Sequence, residues 1–285
     1  MTTTPKLQPT RALALLVTGG QLPPKSEIVI ATQRLRGAIV AAAVGQLRPG
    51  EQARYDDLSA DEAEMLAPLA GKHGDGHLAA GNRHLVLWPL YGQRGAPDRL
   101  LLFKADGFAA FERAAVFAAA QRPVRWGRGE GEAFRVLPLP LGDDGAELFD
   151  SARSWVSLTP FVPPQGRHRF DARGRPRAKE LPERQVARLC AQMGHGTPAR
   201  VEVLDHVGAM RVHWSWTTRQ AAHNGPRPAT HWPGYWVHIS FEAPVQGPIF
   251  LGNSNHFGLG LFRPEFGEGG AGVPTRNDGG ADALQ

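Results

Sequence analysis

Imidazoles and glycines recur together in three places along this chain, joined by cationic side chains in the first two. The first is Gly71-Lys72-His73-Gly74-Asp75-Gly76-His77, followed shortly by Gly81-Asn82-Arg83-His84. The second runs from Pro163 to Lys179 and holds Arg167, His168, Arg169, Arg173, Arg175, Arg177 and Lys179 against the single acid Asp171. The third, from Gly247 to Phe262, interleaves Gly252, Asn253, Ser254, Asn255, His256, Gly258 and Gly260 with two short apolar runs. Histidine titrates near neutrality and so can exchange protons at physiological pH. Imidazole also suits zinc, but the spacing of His73, His77 and His84 matches no zinc motif, and no metal site is expected.

The glycine stretch admits two readings. Glycine permits positive φ and close approach of backbone to a ligand, and successive free N–H groups in such a turn form a concavity for phosphate. It is not a nucleoside-triphosphate loop, because no Lys-Ser/Thr follows the glycines, and it lacks the strand and helix that frame a dinucleotide fingerprint. The alternative is a glycine-rich hairpin with a bulge.

The cationic run is the clearest electrostatic feature. Over all 285 residues the net charge is +5, with a pI near 9.8. Arginine favours bidentate contacts with phosphate, so an anionic polymer is a reasonable partner. The run would grip its backbone, with affinity falling as salt rises; the alternative is a solvated surface loop. Cys190 is the only cysteine, which excludes an internal disulfide and a thiolate metal cluster. Ala12 to Val17 is too short for the apolar core of a signal peptide. No stretch is expected to reach the ~20 apolar residues that span a bilayer, so a cytoplasmic protein without a membrane partner is expected.

The elements that must position these residues follow from periodicity. A strand over Arg11 to Thr18 leads to a helix capped by Ser26, with Ile28, Ile30, Ala31, Leu35, Ala38 and Ile39 at helical spacing, ending near Gly45. A short helix fits Ala60 to Leu69. Strands fit Arg83 to Leu90 and Arg99 to Lys104. A helix capped by Asp106 carries Phe108, Phe111, Ala115 and Ala119 on one face, and a strand fits Ala133 to Leu139. The order β-α-β-β-α-β is that of a ferredoxin-like unit. After an acidic link come a strand over Trp155 to Phe161 and a helix over Glu180 to Met193. A hairpin follows, of Val201 to Val207 with Arg211 to Thr217, and then a strand over Trp236 to Phe241. Trp214 and Trp216 alternate as core residues, whereas Trp232 and Trp236 are placed to stack on bases.

The expected class is therefore α+β: two tandem ferredoxin-like (RRM-like) domains with antiparallel sheets, the second lacking its last helix. The domains span 1–145 and 146–264, the latter with a basic loop at 163–179 and a glycine-rich loop at 247–262, and 265–285 form a disordered tail. Sheets of this kind serve single-stranded RNA binding, although fold alone does not give function.

The motifs also resemble a known family. Added to the Gly71–Gly76 and Gly81–His84 segments are Asp98-Arg99-Leu100-Leu101, Ser154-Trp155-Val156-Ser157-Leu158-Thr159-Pro160, and Gly247-Pro248 through His256-Phe257-Gly258-Leu259-Gly260-Leu261-Phe262. In order and spacing these resemble the RAMP-superfamily CRISPR RNA-processing endoribonucleases, most closely the processing half of the fused subunit of type I-U (I-G) systems. Asn82 and Val86 depart from a richer histidine pattern, and the chain has no room for the preceding RAMP domain of the fused relatives, so either a stand-alone processing subunit or a diverged, inactive one is expected.

The resemblance implies metal-independent cleavage of CRISPR repeat RNA to guide RNA. The ribose 2′-OH attacks the adjacent phosphate and leaves a 2′,3′-cyclic phosphate. It implies no cofactor, and repeat RNA and other subunits of a type I effector complex as partners. It makes His84 the first choice for general acid or base, with His73 and His77 sharing that work, and Lys72, Arg83 and Arg99 meeting the charge of the phosphorane. Arg167, Arg169, Arg173, Arg175, Arg177 and Lys179 become an RNA clamp. Gly252, Asn255, His256, Gly258 and Gly260 become a loop that holds RNA backbone through main-chain N–H groups. The alternative is a non-catalytic RAMP subunit that binds guide RNA. Periodicity does not tell which way His84 points, because Leu85 and Leu87 are as apolar as Val86 and Trp88.

Overall fold

The computed structural model describes residues 10–19, 22–24, 28–73, 75, 77, 83–91, 97–126, 132–139, 145–164, 177–204, 206–207, 210–211, 215–218 and 230–266. The first sheet draws on β1 (Ala12–Thr18), β2 (Val86–Tyr91), β3 (Pro97–Phe103), β4 (Val124–Arg125) and β5 (Ala133–Leu139). Its helices are α1 (Ile28–Leu47), α2 (Ala60–Ala70) and α3 (Ala110–Ala120). The strand order is β2-β3-β1-β5-β4, with every neighbouring pair antiparallel. Without the short edge strand β4, this is the arrangement of a ferredoxin-like sheet, with the first and third strands central.

Side-chain alternation divides this sheet into two apolar faces. Leu15, Leu85, Leu87, Leu100, Leu102, Phe134 and Val136 pack under α1 and α3. Ala12, Val86, Trp88, Leu101 and Phe103 pack on the other side against Leu148, Phe250 and Leu261 of the second half. A sheet covered on both faces needs apolar residues at consecutive positions, which accounts for the unbroken run Leu85-Val86-Leu87-Trp88.

The second sheet is built from β6 (Ser151–Ser157), β7 (Arg200–Leu204), β12 (Trp236–Gln246) and β13 (Phe262–Glu265), with α4 (Pro182–Gln192) between β6 and β7. The order β13-β6-β12-β7, again all antiparallel, repeats the ferredoxin-like pattern. Where the unit's second helix would stand, between β12 and β13, there is only a single 3-10 turn over Asn255–Phe257, as expected from the sequence. Trp155, Val186, Cys190, Val237, Ile239 and Phe262 form the core under α4. The short pairs β8 (His206–Val207) with β9 (Met210–Arg211), and β10 (Ser215–Thr218) with β11 (Thr230–Pro233), form two-stranded ladders apart from it.

Several expectations need correction. Asp106 does not cap α3: Gly107 takes φ +77, and the helix starts after Ala109, whose N–H donates to the Glu112 carboxylate at 2.7 Å. The strand expected over Trp155 to Phe161 lies four residues earlier. Its chain turns at Pro160 once the N–H groups of Leu158 and Thr159 have both donated to Leu261 O. Helix α4 starts at Pro182 rather than Glu180, since proline suits the first helical position and disfavours helix before it. The expected hairpin of Val201 to Val207 with Arg211 to Thr217 shrinks to the two-residue β8–β9 ladder, because β7 pairs with β12 and β10 with β11. Strand β13 continues through Glu265, one residue past the expected end of the second domain; residues 267–285 lie outside the described residues, as do the Trp214, Trp216 and Trp232 side chains. Trp236 is buried. Finally, α1 has 20 residues and a mean hydropathy of 1.4, long and apolar enough to cross a membrane by length and composition, contrary to expectation. More than half of it is buried against the sheet and the other helices.

Candidate active site at the seam between the two sheets

His84 precedes β2 and is brought back to α2 by the Leu85 N–H, which donates to Pro68 O at 2.7 Å. It shares its side of the chain with Val86 and Trp88, so it faces the second half of the protein and is only 7% exposed. There its ring meets that of His256, with centroids 3.9 Å apart and planes inclined by 37°. His256 belongs to the 3-10 turn in the glycine stretch and also lies edge-on to Phe250, at 6.3 Å between centroids. The catalytic candidate of the first half and the histidine of the glycine loop therefore form one pair.

The turn that carries His256 is anchored from the first half. Thr32 of α1 donates its hydroxyl to Phe257 O at 2.8 Å. Gly258 takes φ +99, and a Cβ there would stand 2.6 Å from Cδ of Pro89 in β2. Only glycine combines that left-handed backbone with so close an approach.

Part of the glycine stretch is closed by main-chain hydrogen bonds, and of the five loop residues expected to meet RNA, Gly260 is the one whose N–H is engaged in them. Asn253 N–H donates to Val162 O at 2.7 Å, Gly260 to Pro160 O at 2.8 Å and Leu251 to Gly260 O at 2.8 Å. Leu259 donates to Ser254 O, Phe262 to Ile249 O, and Leu261 to Thr159 Oγ1. Phe250 and Leu261 form an isolated bridge. Of the two readings of this stretch, the bulged turn closing on itself describes these contacts. Gly252, Asn255, Gly258 and Gly260 hold the turn's shape: Asn255 is buried, its Nδ2 donating to Phe250 O at 3.5 Å.

Arg36, which the sequence reading passed over, completes the cluster. It lies one turn after Thr32 on the buried face of α1, and its Nε donates to Leu69 O at 2.7 Å. Its guanidinium stands 5.3 Å from the Phe257 ring centroid. It fills the space that a side chain at Gly71 would take, and His84 Cδ2 is 3.0 Å from that same Cβ position. Gly71 caps α2 in the left-handed region at φ +70. The signal that could have found this arginine is polarity at the wrong place: Thr32 and Arg36 are the i, i+4 polar pair on a helix face otherwise built from Ile28, Leu35 and Ile39.

Burial governs the charges here. It lowers Arg36 to about 10, leaving it cationic at neutral pH. It pushes His256 down to about 2, reinforced by His84 and then by Arg36, so this imidazole is neutral at pH 7. Arg36 Nη2 and His256 Nδ1 are buried without a hydrogen-bond partner among the described residues. One unsatisfied donor on a buried group costs about 1–3 kcal/mol, more when charged, and an apolar side chain of similar volume in place of a buried charge is often neutral or stabilising. Packing alone therefore does not account for an arginine at this position.

His84 also lines an open cleft of about 350 Å³ with His73, Arg83, Lys104, Glu64 and Asp106. His73 Nδ1 is 2.9 Å from Glu64. Arg83 reaches Asp106 at 3.3 Å from an exposed position, and the buried Lys104 is held by both carboxylate oxygens of Glu112 at 2.6 Å. The structure thus gathers His84, His73 and Arg83, and adds Lys104, Glu64 and Asp106 that sequence reasoning did not propose. Lys72 turns elsewhere, with Nζ 4.4 Å from the Tyr55 ring centroid and 3.6 Å from Asp56. Arg99 Nε donates to Asp98 at 3.3 Å, and His77 is exposed, with its N–H donating to Asp75. Among the described residues no group of three or more His, Cys, Asp or Glu side chains is placed to hold a metal ion. Arg167, Arg169, Arg173 and Arg175 lie outside the described residues; Arg177 and Lys179 are exposed just before α4.

No protein-family model matches the chain, and no curated protein does. Among solved structures the chain is similar to a Cas6 product complex, with a TM-score of 0.39 and 17% identity over 90% of this chain and 100% of the other. It is also similar to a RAMP protein binding different RNA substrates, with a TM-score of 0.40 and 11% identity over 88% and 97%. A third is Csf5, a CRISPR-Cas type IV Cas6 crRNA endonuclease, with a TM-score of 0.36 and 13% identity over 90% and 99%. The assignment of two ferredoxin-like units rests on the strand orders, which stand independently of these alignments.

Proposed function

We propose that this protein binds CRISPR repeat RNA and cleaves it to guide RNA without a metal ion. The observation that carries the reading is the position of His84, which is in ring contact with His256 of the glycine loop and also lines the cleft that holds His73 and Arg83. Two imidazoles at one cleft suit a reaction with two proton transfers. The ribose 2′-OH loses its proton to one of them as the O2′–P bond forms; the other protonates O5′ as the P–O5′ bond breaks. The products are a 2′,3′-cyclic phosphate and a 5′-hydroxyl. Each positioned acid or base contributes typically 10²–10⁴-fold. We assign these transfers to His84 and His73, with Arg83 meeting the phosphate at the cleft mouth and Lys72 reaching it only by leaving Tyr55.

The basic run from Arg167 to Lys179 supplies the grip on RNA in this proposal, and Gly252, Asn255, Gly258 and Gly260 present His256 to the seam. The sequence motifs support the finer kinship with the processing half of the type I-U (I-G) fused subunit, and with it a cytoplasmic role beside other subunits of a type I effector complex. The test is incubation of the protein with its cognate repeat RNA in EDTA and analysis of the product ends. A 2′,3′-cyclic phosphate formed in EDTA supports the reading. Binding without cutting replaces it by a non-catalytic guide-RNA-binding subunit, and cutting only with added metal rules out the mechanism.

A further inference from the structure

The guanidinium of Arg36 stands behind His84 with no carboxylate paired to it among the described residues. What faces it is the His84 ring edge across Gly71, the Phe257 ring, the Leu69 carbonyl and, beyond His84, the neutral His256. Arg36 is 6% exposed, and Nη2 is a buried donor without a partner among the described residues. His256 Nδ1 in the same cluster is likewise unmatched. A fixed cation, an open donor and two imidazoles are the chemistry that receives a phosphate oxygen: the anion supplies both the missing acceptor and the missing countercharge.

We propose that Arg36, His84 and His256 form a phosphate-binding site inside the seam, in which Arg36 Nη2 donates to a non-bridging oxygen of an RNA phosphodiester. His84 belongs to both the cleft and the seam, so the phosphate approaches Nη2 from the cleft side, past the His84 ring. Gly71 makes room for the guanidinium itself, which stands where a side chain at that position would lie. Arg36 is thereby a catalytic residue as well as a binding one, since charge on the non-bridging oxygens grows as the phosphorane forms. A donor preorganised in a water-poor site is worth about 10²–10³-fold in rate. The identity of the anion as the scissile phosphate rests on the cleavage reading; the existence of the anion site does not.

The test separates the two. The full chain is titrated with inorganic phosphate and its Tm followed, for the wild type and for Arg36→Met, which keeps the reach of the side chain without its charge. The expected result is a phosphate-dependent rise in Tm for the wild type and none for Arg36→Met. A rise equal in the two proteins, or no rise in the wild type, overturns the proposal. Should Arg36→Met fail to fold, the wild type crystallised with inorganic phosphate decides: an anion within about 3 Å of Nη2 supports the site, and an empty seam overturns it. Single-turnover cleavage of repeat RNA then reads the catalytic role, with a loss of about 10²–10³-fold expected for Arg36→Met and partial recovery in Arg36→Lys. Unchanged cleavage in Arg36→Met overturns that role. If the wild type cuts no RNA yet its Tm responds to phosphate through Arg36, the cleavage reading falls and the anion site stands.

Discussion

The imidazoles of His84 and His256 lie 3.9 Å apart, one carried by the chain entering β2 and the other by the turn that replaces a helix in the second unit. Neither unit holds the site alone. The contact depends on Thr32 gripping Phe257 O and on Gly258 resting against Pro89, so the account is tested as much by disturbing that seat as by removing the rings.

The first prediction concerns pH. Burial lowers His256 from 6.5 to about 2 in the folded protein. Below pH 6.5 the unfolded chain takes up a proton at this position that the folded protein refuses, so stability falls as pH falls. The loss reaches about 2 kcal/mol at pH 5 from the rule of 1.36 kcal/mol per unit. In His256→Phe, which retains a ring beside Phe250, the fall in unfolding free energy from urea titrations between pH 7 and pH 5 is smaller by that amount. His195, also lowered by burial, acts in the same direction in both proteins and cancels from the comparison. Equal slopes would place His256 in water.

Gly258→Ala tests the seat of the turn. The new Cβ meets Pro89 Cδ at 2.6 Å with the backbone at φ +99, a strain of about 1–3 kcal/mol. Chemical denaturation reads the stability loss. Cleavage is expected to fall by a larger factor than RNA affinity, because in the proposed function the turn presents His256 while the basic run grips the RNA.

Lys104 and Glu112 form a buried pair in which both carboxylate oxygens meet Nζ. Lys104→Met leaves an uncompensated buried carboxylate and is expected to cost about 3–5 kcal/mol. Adding Glu112→Gln, which retains an acceptor for the Ala109 N–H, is expected to restore most of that loss. A double variant as unstable as the single one contradicts this account of the pair.

The basic run is read through salt. Replacing Arg167, Arg169, Arg173 and Arg175 by Gln is expected to flatten the plot of log affinity against log salt by about 0.7 for each phosphate that the run no longer neutralises. An unchanged slope assigns the run to solvated surface.

Much of the fold was legible because most of the helices and the central strands carry their own local signal, whereas the partners of β7 to β11 do not. The short helix expected over Ala60 to Leu69 is α2, and the glycine-rich stretch between β12 and β13 stands where the second unit has no helix. The direction of His84 was not legible. Leu85 and Leu87 face the helices while Val86 and Trp88 face Phe250 and Leu261, so both faces of β2 are apolar and alternation carries no sign. Arg36 escaped for a different reason: an amphipathic reading of α1 counts its apolar stripe and treats a cation as solvent-facing, whereas this one faces inward toward Gly71. The glycine loop was ambiguous for a third reason, since positive φ for close contact with protein and positive φ for close contact with phosphate look identical in sequence.

The most direct measurement is single-turnover cleavage of the cognate repeat RNA in EDTA by His84→Ala beside the wild type, with RNA affinity measured on the same preparations. The account predicts a rate lower by at least about 100-fold with affinity essentially retained. Cleavage by His84→Ala at the wild-type rate would contradict it.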